Sequence, residues 1–153
     1  MDKLHALTGD MLDDVTTFNE RIVGLVRPAT PQRLLAQRKL WALDALDEEI
    51  REYELATTIE DEADSLIDLT YFALGRLMEM GVPIRAAFGE VQRANMDKQR
   101  GELSKRPNSL GYDAIKPEGW SAPVYTDLLC EVTLEEMQTL AALRRGEIKV
   151  VTS

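Results

Sequence analysis

Apolar residues recur every three or four positions along most of this chain, the spacing that places them on one face of an α-helix. No segment alternates apolar and polar residues for long enough to define a strand, and residues 148–151 are the one short candidate. The pattern predicts an all-α fold with a four-helix core. The predicted helices cover about residues 3–24, 31–56, 57–80, 82–101 and, as a short C-terminal helix, 133–145.

Capping residues support these boundaries. Thr30 followed by Pro31 predicts the start of the second helix, and Thr57 with Glu60 forms a capping-box pattern that opens the third. The helical pattern fails over 102–125, where prolines and glycines accumulate, which predicts a long functional loop. The whole chain, residues 1–153, has the length of a single domain.

The composition excludes several chemistries. Cys130 is the only cysteine and His5 the only histidine, so neither an internal disulfide nor a four-ligand Cys/His zinc site can form. Acidic residues outnumber basic ones 27 to 18, and a net charge of −9 argues against nucleic-acid binding. No apolar run reaches the ~20 residues of a membrane span, and the N-terminus has no apolar signal segment. We therefore expect a cytoplasmic protein without a membrane partner.

A first acidic group lies on the second predicted helix. Glu48 and Glu52 differ by about 40° around the helix axis, and Glu49 lies within about 60° of Glu52. The apolar stripe of this helix points to roughly the opposite side. Its members are Leu35, Leu43, Leu46, Ile50 and Tyr53, with Trp41 beside them. Taken alone, the acidic group is typical of a solvated helix face.

A second acidic group changes that balance. Asp64 and Asp68 are four residues apart, on one face of the third helix, and Asp68 is the only charge within residues 66–74. Apolar residues occupy nearly every side there, which predicts a helix buried almost all round. A buried carboxylate needs a metal ion or a cation partner. The alternatives are therefore a metal site and a buried salt bridge with Arg76, Arg93 or Lys98.

The two acidic helices are expected to be antiparallel neighbours, because their connection is short. Four or five carboxylate oxygens in one cleft would form a site for a hard cation, Mg²⁺ or Mn²⁺ rather than zinc. Such an ion keeps open positions for water and phosphate oxygens, which suits metal-assisted attack of water on phosphorus.

These residues resemble the all-α nucleoside triphosphate pyrophosphohydrolases: MazG, the dimeric dUTPases and phosphoribosyl-ATP pyrophosphohydrolase. Glu48-Glu49-x-x-Glu52 matches the E-E-x-x-E motif of these proteins. Their second motif, E-x-x-D, ends at Asp68, but Ser65 stands where many members carry glutamate. Asp64 gives D-x-x-x-D instead, a variant associated with the phage-type MazG-like subgroup.

The resemblance extends over about residues 45–122. Gly81-Val82-Pro83 and the segment 90–98, E-V-Q-R-A-N-M-D-K, resemble the subgroup's "G-I-D … E-V-H-R-x-N-M-x-K". Residues 116–120, K-P-E-G-W, resemble its "K-P-E-G-W" loop. Relatives cleave a (d)NTP between the α and β phosphates, releasing the monophosphate and pyrophosphate.

The resemblance implies roles for individual residues. Glu49, Glu52 and Asp68, with Asp64 as the favoured fourth ligand, would hold Mg²⁺ or Mn²⁺, with two or more ions in a site. Glu48 would bind a further ion or help to activate the attacking water. Asn95 and Lys98 would contact sugar and phosphates, and Lys116 would reach the phosphates from the long loop. Trp120 would either stack on a base or anchor that loop.

The resemblance leaves several points open. The substrate is expected to be dUTP or a purine nucleotide such as dGTP or GTP. A homodimer or homotetramer is expected, as is a cytoplasmic location, which for a phage-encoded protein would be the host cytoplasm. One alternative is a non-catalytic acidic helical module that binds nucleotides or proteins. Another is a degenerate relative that binds nucleotides without turnover, because Ser65 replaces a ligand.

Overall fold

The computed structural model describes residues 9–101, 113–126 and 128–129. The helix predicted over 133–145 and the strand candidate 148–151 lie outside these residues. Of the described residues, 9–82 belong to one compact unit and those from 83 to 129 to a second, and each unit is described by itself. The prediction of a single domain over 1–153 stays a prediction.

The described residues form four α-helices and one small antiparallel sheet, so the all-α prediction is confirmed. The helices are α1 (Met11–Phe18), α2 (Ala36–Leu55), α3 (Ile59–Glu79) and α4 (Ile84–Met96), and a π-helical turn, Asn19–Val23, continues α1. The sheet pairs β1 (Gln99–Gly101) with β2 (Asp113–Ile115). None of the described helices is long and apolar enough to cross a membrane.

The first helix begins later than predicted. Asp10 is its N-cap, because the Asp10 side chain accepts a hydrogen bond of 2.9 Å from the backbone N–H of Leu12. Gly9 has a left-handed φ of 77° and cannot continue the helix backwards. A helix through residues 9 and 10 was therefore a wrong prediction, and residues 3–8 lie outside the described part.

The second helix begins at Ala36 instead of residue 31, so the cap predicted at Thr30 is wrong. The preceding segment makes its hydrogen bonds with the end of α3. The backbone N–H of Gln32 donates to the carbonyl of Met80 at 2.9 Å, and the Arg27 guanidinium donates to the carbonyl of Val82 at 2.9 Å. These tertiary bonds compete successfully with a local helical turn.

The remaining boundaries differ by smaller amounts. Thr58, one residue after the predicted cap, accepts from the N–H of Asp61 at 3.1 Å and donates to its carboxylate at 2.7 Å. The fourth helix ends at Met96, short of residue 101, because the chain enters β1. The long predicted loop also contains β2, so the sheet was missed.

In the first unit, α3 packs against α1 and α2. The face of α2 that is buried differs from the predicted one. Ala42 and Glu49, seven residues apart, are its buried residues. Leu43 and Ile50 of the predicted apolar stripe are each 52% exposed. The prediction that α3 is buried on nearly every side is wrong as well, because Ile67 is 63% exposed.

A polar network links the three helices of this unit at the end of α3. The Glu79 carboxylate accepts the Nε–H of Arg38 at 2.7 Å and pairs with Arg76 at 3.1 Å. Arg76 also donates to buried Asn19 at 3.3 Å, and the Arg38 guanidinium lies 3.9 Å from the centre of the Trp41 ring. Shared ion pairs and cation–π contact stabilise this packing.

Gly81 after α3 should tolerate no side chain. Its φ is 73°, and an added Cβ would lie 2.8 Å from the Pro28 side chain and 3.0 Å from the Thr30 carbonyl oxygen. Gly24 has a similar φ of 75° but open space around it. We expect Gly81→Ala to lower the free energy of unfolding by about 2–4 kcal/mol and Gly24→Ala by about 1 kcal/mol.

Urea unfolding of both variants measures this difference. Equal losses would show that the backbone conformation alone matters and that the close approach to Pro28 and Thr30 relaxes without cost.

Candidate functional site

Of the five carboxylates that the sequence predicts as ligands, four lie around the fifth, the buried carboxyl group of Glu49. Glu49 is 8% exposed, and its pKa is raised above the ordinary value. Burial is the largest cause, because it disfavours the charged form. The remaining causes are the negative charges of Glu52, Asp68, Glu48 and Asp64. The structure therefore brings carboxylates of α2 and α3 together.

Helix geometry explains this arrangement. Only residues 56–58 separate α2 from α3, and the two helices pack side by side. The small Ala42 and the carboxyl of Glu49 share the face of α2 that is buried. The Oε2 atom of Glu49 is buried and accepts no hydrogen bond within the described part of the chain. A buried oxygen without a donor is costly, and a cation is one partner that would satisfy it.

Asp68, which the sequence predicts to be buried, is exposed. Among the described residues, its apolar neighbours Leu66 and Ile67 on α3 are also exposed. Periodicity reports which faces of a helix are apolar, and not what covers them. Two of the predicted cation partners have other carboxylates, since Arg76 pairs with Glu79 and Arg93 with Glu90. The physical case for a cation thus moves from Asp68 to Glu49. The sequence signal for the burial of Glu49 is Ala42, a small residue seven positions earlier and therefore on the same face of α2.

The second unit gathers the predicted nucleotide-binding residues around Trp120. The indole Nε1–H of Trp120 donates to the carbonyl of Ala94 on α4 at 2.6 Å. The Lys116 ammonium lies 4.2 Å from the centre of the indole ring and the Lys98 ammonium 5.8 Å from it. Lys98 also donates to the Asn95 side-chain oxygen at 2.8 Å. Asn95, Lys98, Lys116 and Trp120 therefore form one cluster, called the indole cluster below.

The indole cluster has the chemistry of an anion site. Two ammonium groups beside one ring attract phosphate oxygens, and the ring face stabilises the cations that approach it. The hydrogen bond to Ala94 anchors Trp120 to α4. Whether the ring also stacks on a base stays a prediction.

Comparison with known proteins assigns the family. A family model described as phosphoribosyl-ATP pyrophosphohydrolase matches residues 16–95, just over half of the 153 residues. The chain belongs to this family. The match begins within α1 and ends within α4, so it contains all five carboxylates and Asn95. No curated protein matches the chain.

Membership of the phosphoribosyl-ATP pyrophosphohydrolase family confirms the resemblance to the MazG-like superfamily. It gives the chain the general activity of a nucleotide pyrophosphohydrolase, a hydrolase. The phage-type subgroup stays a prediction. So do the individual residue roles, since the match carries no assignment of them.

The superfamily implies a hard cation. The chemical type of the carboxylates suits such an ion, but their side chains are not positioned around one point. Carboxylate oxygens are the preferred ligands of Mg²⁺ and Mn²⁺, and the unpartnered Oε2 of Glu49 lies among them. Among the described residues, however, no three His, Cys, Asp or Glu side chains are placed to hold one ion. Side-chain rotation would have to converge the exposed carboxylates on Glu49.

Ser65 and Asp64 differ in what their side chains already bind. Ser65 is 4% exposed, and its hydroxyl donates to the carbonyl of Asp61 at 2.9 Å. Asp64 is exposed and contributes to the raised pKa of Glu49. The hydroxyl of Ser65 is therefore occupied within its own helix, which favours Asp64 as the predicted ligand.

The raised pKa of Glu49 predicts how pH changes stability. Because the folded state favours the protonated carboxyl, Glu49 stabilises the fold at pH values below its ordinary pKa of 4.5. That contribution is lost as the pH rises through the higher folded pKa. Thermal unfolding in chelator across this range should show the loss in the wild type and not in Glu49→Gln.

The comparison of these two proteins removes the effects of other groups. Glu90, whose pKa is lowered by the Val124 backbone N–H and by Arg93, has the opposite pH dependence in both of them. A stability difference between wild type and Glu49→Gln that is independent of pH would contradict the prediction.

Proposed function

We propose that the protein is a metal-dependent nucleoside triphosphate pyrophosphohydrolase that forms the monophosphate and pyrophosphate. The observation that carries the proposal is the group of four carboxylates around buried Glu49 in a chain of this family. Within the second unit, the indole cluster separately has cations of the kind that bind a polyphosphate.

In this proposal, Glu49, Glu52, Asp64 and Asp68 hold Mg²⁺ or Mn²⁺. The bound ions would neutralise phosphate charge and make water more acidic. Glu48, exposed on α2, accepts a proton from the attacking water or binds a further ion. The water oxygen forms a bond to the α-phosphorus, the bond from that phosphorus to the bridging oxygen breaks, and pyrophosphate leaves.

The indole cluster would bind the nucleotide. Lys98 and Lys116 neutralise phosphate charges as point donors, and the amide of Asn95 offers a donor and an acceptor to the sugar. If the Lys98 ammonium moved to a phosphate, its hydrogen bond to Asn95 would break and the amide oxygen of Asn95 could accept from the sugar. Candidate substrates are dUTP, dGTP and GTP, and the name of the matching family adds phosphoribosyl-ATP.

The test is pyrophosphate release from a panel of dNTPs, NTPs and phosphoribosyl-ATP with Mg²⁺ or Mn²⁺. We expect release together with the monophosphate, and inorganic phosphate only as a minor product. A folded, metal-loaded protein that hydrolyses none of them would refute the enzymatic proposal.

The competing proposal is a non-catalytic acidic helical module, or a family member that binds nucleotides without turnover. It is favoured by the absence, among the described residues, of three side chains already placed around an ion. The enzyme should be stabilised by Mn²⁺ in proportion to RT ln(1 + [metal]/Kd), and the module should not. A nucleotide-binding relative without turnover would show stabilisation by nucleotide but no pyrophosphate.

We also propose that the protein is a homodimer or homotetramer. Leu43, Ile50 and Tyr53 on α2 are 46–52% exposed, and an apolar groove of about 1120 Å³ lies between α1 and α3. Exposed apolar surface of this extent is typical of an interface. Light scattering on the purified chain measures the state, and a monomer at micromolar concentration would contradict the proposal. A cytoplasmic location stays a prediction.

A further inference from the structure

Arg93 on α4 has a partner for every one of its N–H donors. Its Nε and Nη2 donate to the Glu90 carboxylate, both at 3.2 Å. Its Nη1 donates to Asp97 at 3.4 Å and to the Ser121 hydroxyl at 3.2 Å, and its Nη2 also donates to the Ala122 carbonyl at 3.1 Å. An arginine side chain has five such donors, and all are used.

Glu90 makes a second connection to the same segment. Its Oε2 atom accepts the backbone N–H of Val124 at 3.2 Å as well as the two bonds from Arg93. The Val124 hydrogen bond and then the Arg93 guanidinium lower the pKa of Glu90, so this carboxyl stays ionised. Residues 121–124 are therefore attached to α4 at three points.

These attachments adjoin the indole cluster. Trp120 precedes Ser121 in the chain, and its backbone N–H donates to the Pro117 carbonyl at 3.1 Å. Gly119, with a φ of 77°, allows that tight turn. Lys116 directly precedes the turn, so a shift of residues 121–124 would be transmitted to both Trp120 and Lys116.

Arg93 differs from Lys98 and Lys116 because all its N–H donors are already used. A phosphate could bind Arg93 only by displacing an existing partner, whereas an ammonium over a ring retains donors for phosphate. Arginine can bridge Glu90, Asp97 and the carbonyl of Ala122 at once because its donors form a planar fork, which lysine lacks.

We propose that Arg93 and Glu90 are positioning residues, which fix residues 121–124 on α4 and thereby hold Trp120 and Lys116 in place for binding a nucleotide's phosphates. This inference rests on the proposed function. It assigns no contact with the substrate to Arg93 or Glu90. The competing explanation is that the two residues only stabilise the fold.

The experiment compares Arg93→Gln and Arg93→Lys with wild type, and Gln92→Ala, exposed on the same helix, is the control. Circular dichroism checks that each variant is folded. For Arg93→Gln we expect KM for the best nucleotide to rise about tenfold or more, with kcat changed less than about threefold. Arg93→Lys should resemble Arg93→Gln, because one point charge cannot replace the fork.

A second readout does not depend on activity. Hydrogen exchange of the Trp120 indole N–H, assigned by comparison with Trp41→Phe, should be about tenfold faster in Arg93→Gln than in wild type. Exchange in Gln92→Ala should equal that of wild type. The milder Arg93→Lys keeps this readout usable if Arg93→Gln fails to fold.

The outcomes separate the inference from the proposed function. If wild type hydrolyses no nucleotide, the proposed function fails, and indole exchange together with nucleotide binding still tests the positioning role. If wild type is active and both Arg93 variants retain its KM and its indole exchange, the inference is overturned. A wild-type KM in Arg93→Lys alone would overturn the argument from the guanidinium fork.

Discussion

Replacing Glu49 with glutamine is expected to abolish pyrophosphate release while making the metal-free protein more stable. Glu49 is a buried carboxyl surrounded by four others, and its Oε2 atom has no hydrogen-bond partner among the described residues. Glutamine keeps the shape of the side chain and removes the charge that burial and its neighbours oppose. Turnover should fall about a thousandfold or more, because charge stabilisation by a metal ion is worth several kcal/mol.

The gain in stability is the more diagnostic half of this prediction. An amide costs less to bury than a carboxylate, so we expect Tm in chelator to rise by about 2–4 °C, which corresponds to about 1 kcal/mol. Stabilisation of the protein by Mn²⁺ should disappear in the same variant. A structural glutamate in a satisfied ion pair would instead lose stability on this change.

Glu54→Gln is the matched control for Glu49→Gln. Glu54 is exposed on the same helix and is not among the charges that raise the pKa of Glu49. Its activity and Tm should stay close to wild type. Equal effects of the two substitutions would show that only net charge matters, and wild-type turnover in Glu49→Gln would remove Glu49 from the site.

Asp68→Asn and Asp64→Asn are each expected to reduce turnover about a hundredfold or more without loss of the fold. Both side chains are exposed in the described structure, so their replacement leaves no buried group unpaired. Their negative charges raise the pKa of Glu49, and rotation of both side chains would have to bring their carboxylates to the same ion. The apparent affinity for Mn²⁺, measured by thermal shift, should fall in parallel with activity.

Ser65→Ala is the discriminating comparison. Its hydroxyl already donates to the Asp61 carbonyl, so its loss should change turnover by less than about threefold and stability by about 1 kcal/mol at most. If Ser65→Ala loses activity while Asp64→Asn retains it, Ser65 occupies the fourth ligand position. If all three variants are as active as wild type, the metal lies elsewhere.

Much of the fold followed from local patterns, and two of the errors, the start of α2 and the missed sheet, share one physical origin. The spacing of apolar residues, every three or four positions, predicted the four helices in their correct order, because helical periodicity is a property of neighbouring residues. The start of α2 was wrong because Gln32 and Arg27 bond to residues beyond the end of α3. The sheet was missed because Gln99 pairs with Ile115, and no local pattern reports such a partner.

The candidate site divides in the same way. The spacing of Glu48, Glu49 and Glu52, and of Asp64 and Asp68, identified the acidic faces, but not which carboxyl is buried. Periodicity placed the apolar stripe of α2 inside, whereas packing against α3 buried Ala42 and Glu49 and left Ile50 exposed. The sequence showed that Glu90 and Arg93 belong to the motif at residues 90–98, but it did not show that they bond to residues 121–124.

The sequence by itself determined the helical class, the order of the helices and the identity of the carboxylates that share a helix face. It did so because helix geometry relates residues only a few positions apart. Only the tertiary structure decided which carboxylate is buried among the others. Burial and electrostatic repulsion depend on what the neighbouring helix brings close, and that makes Glu49, rather than Asp68, the residue at the centre of the five carboxylates.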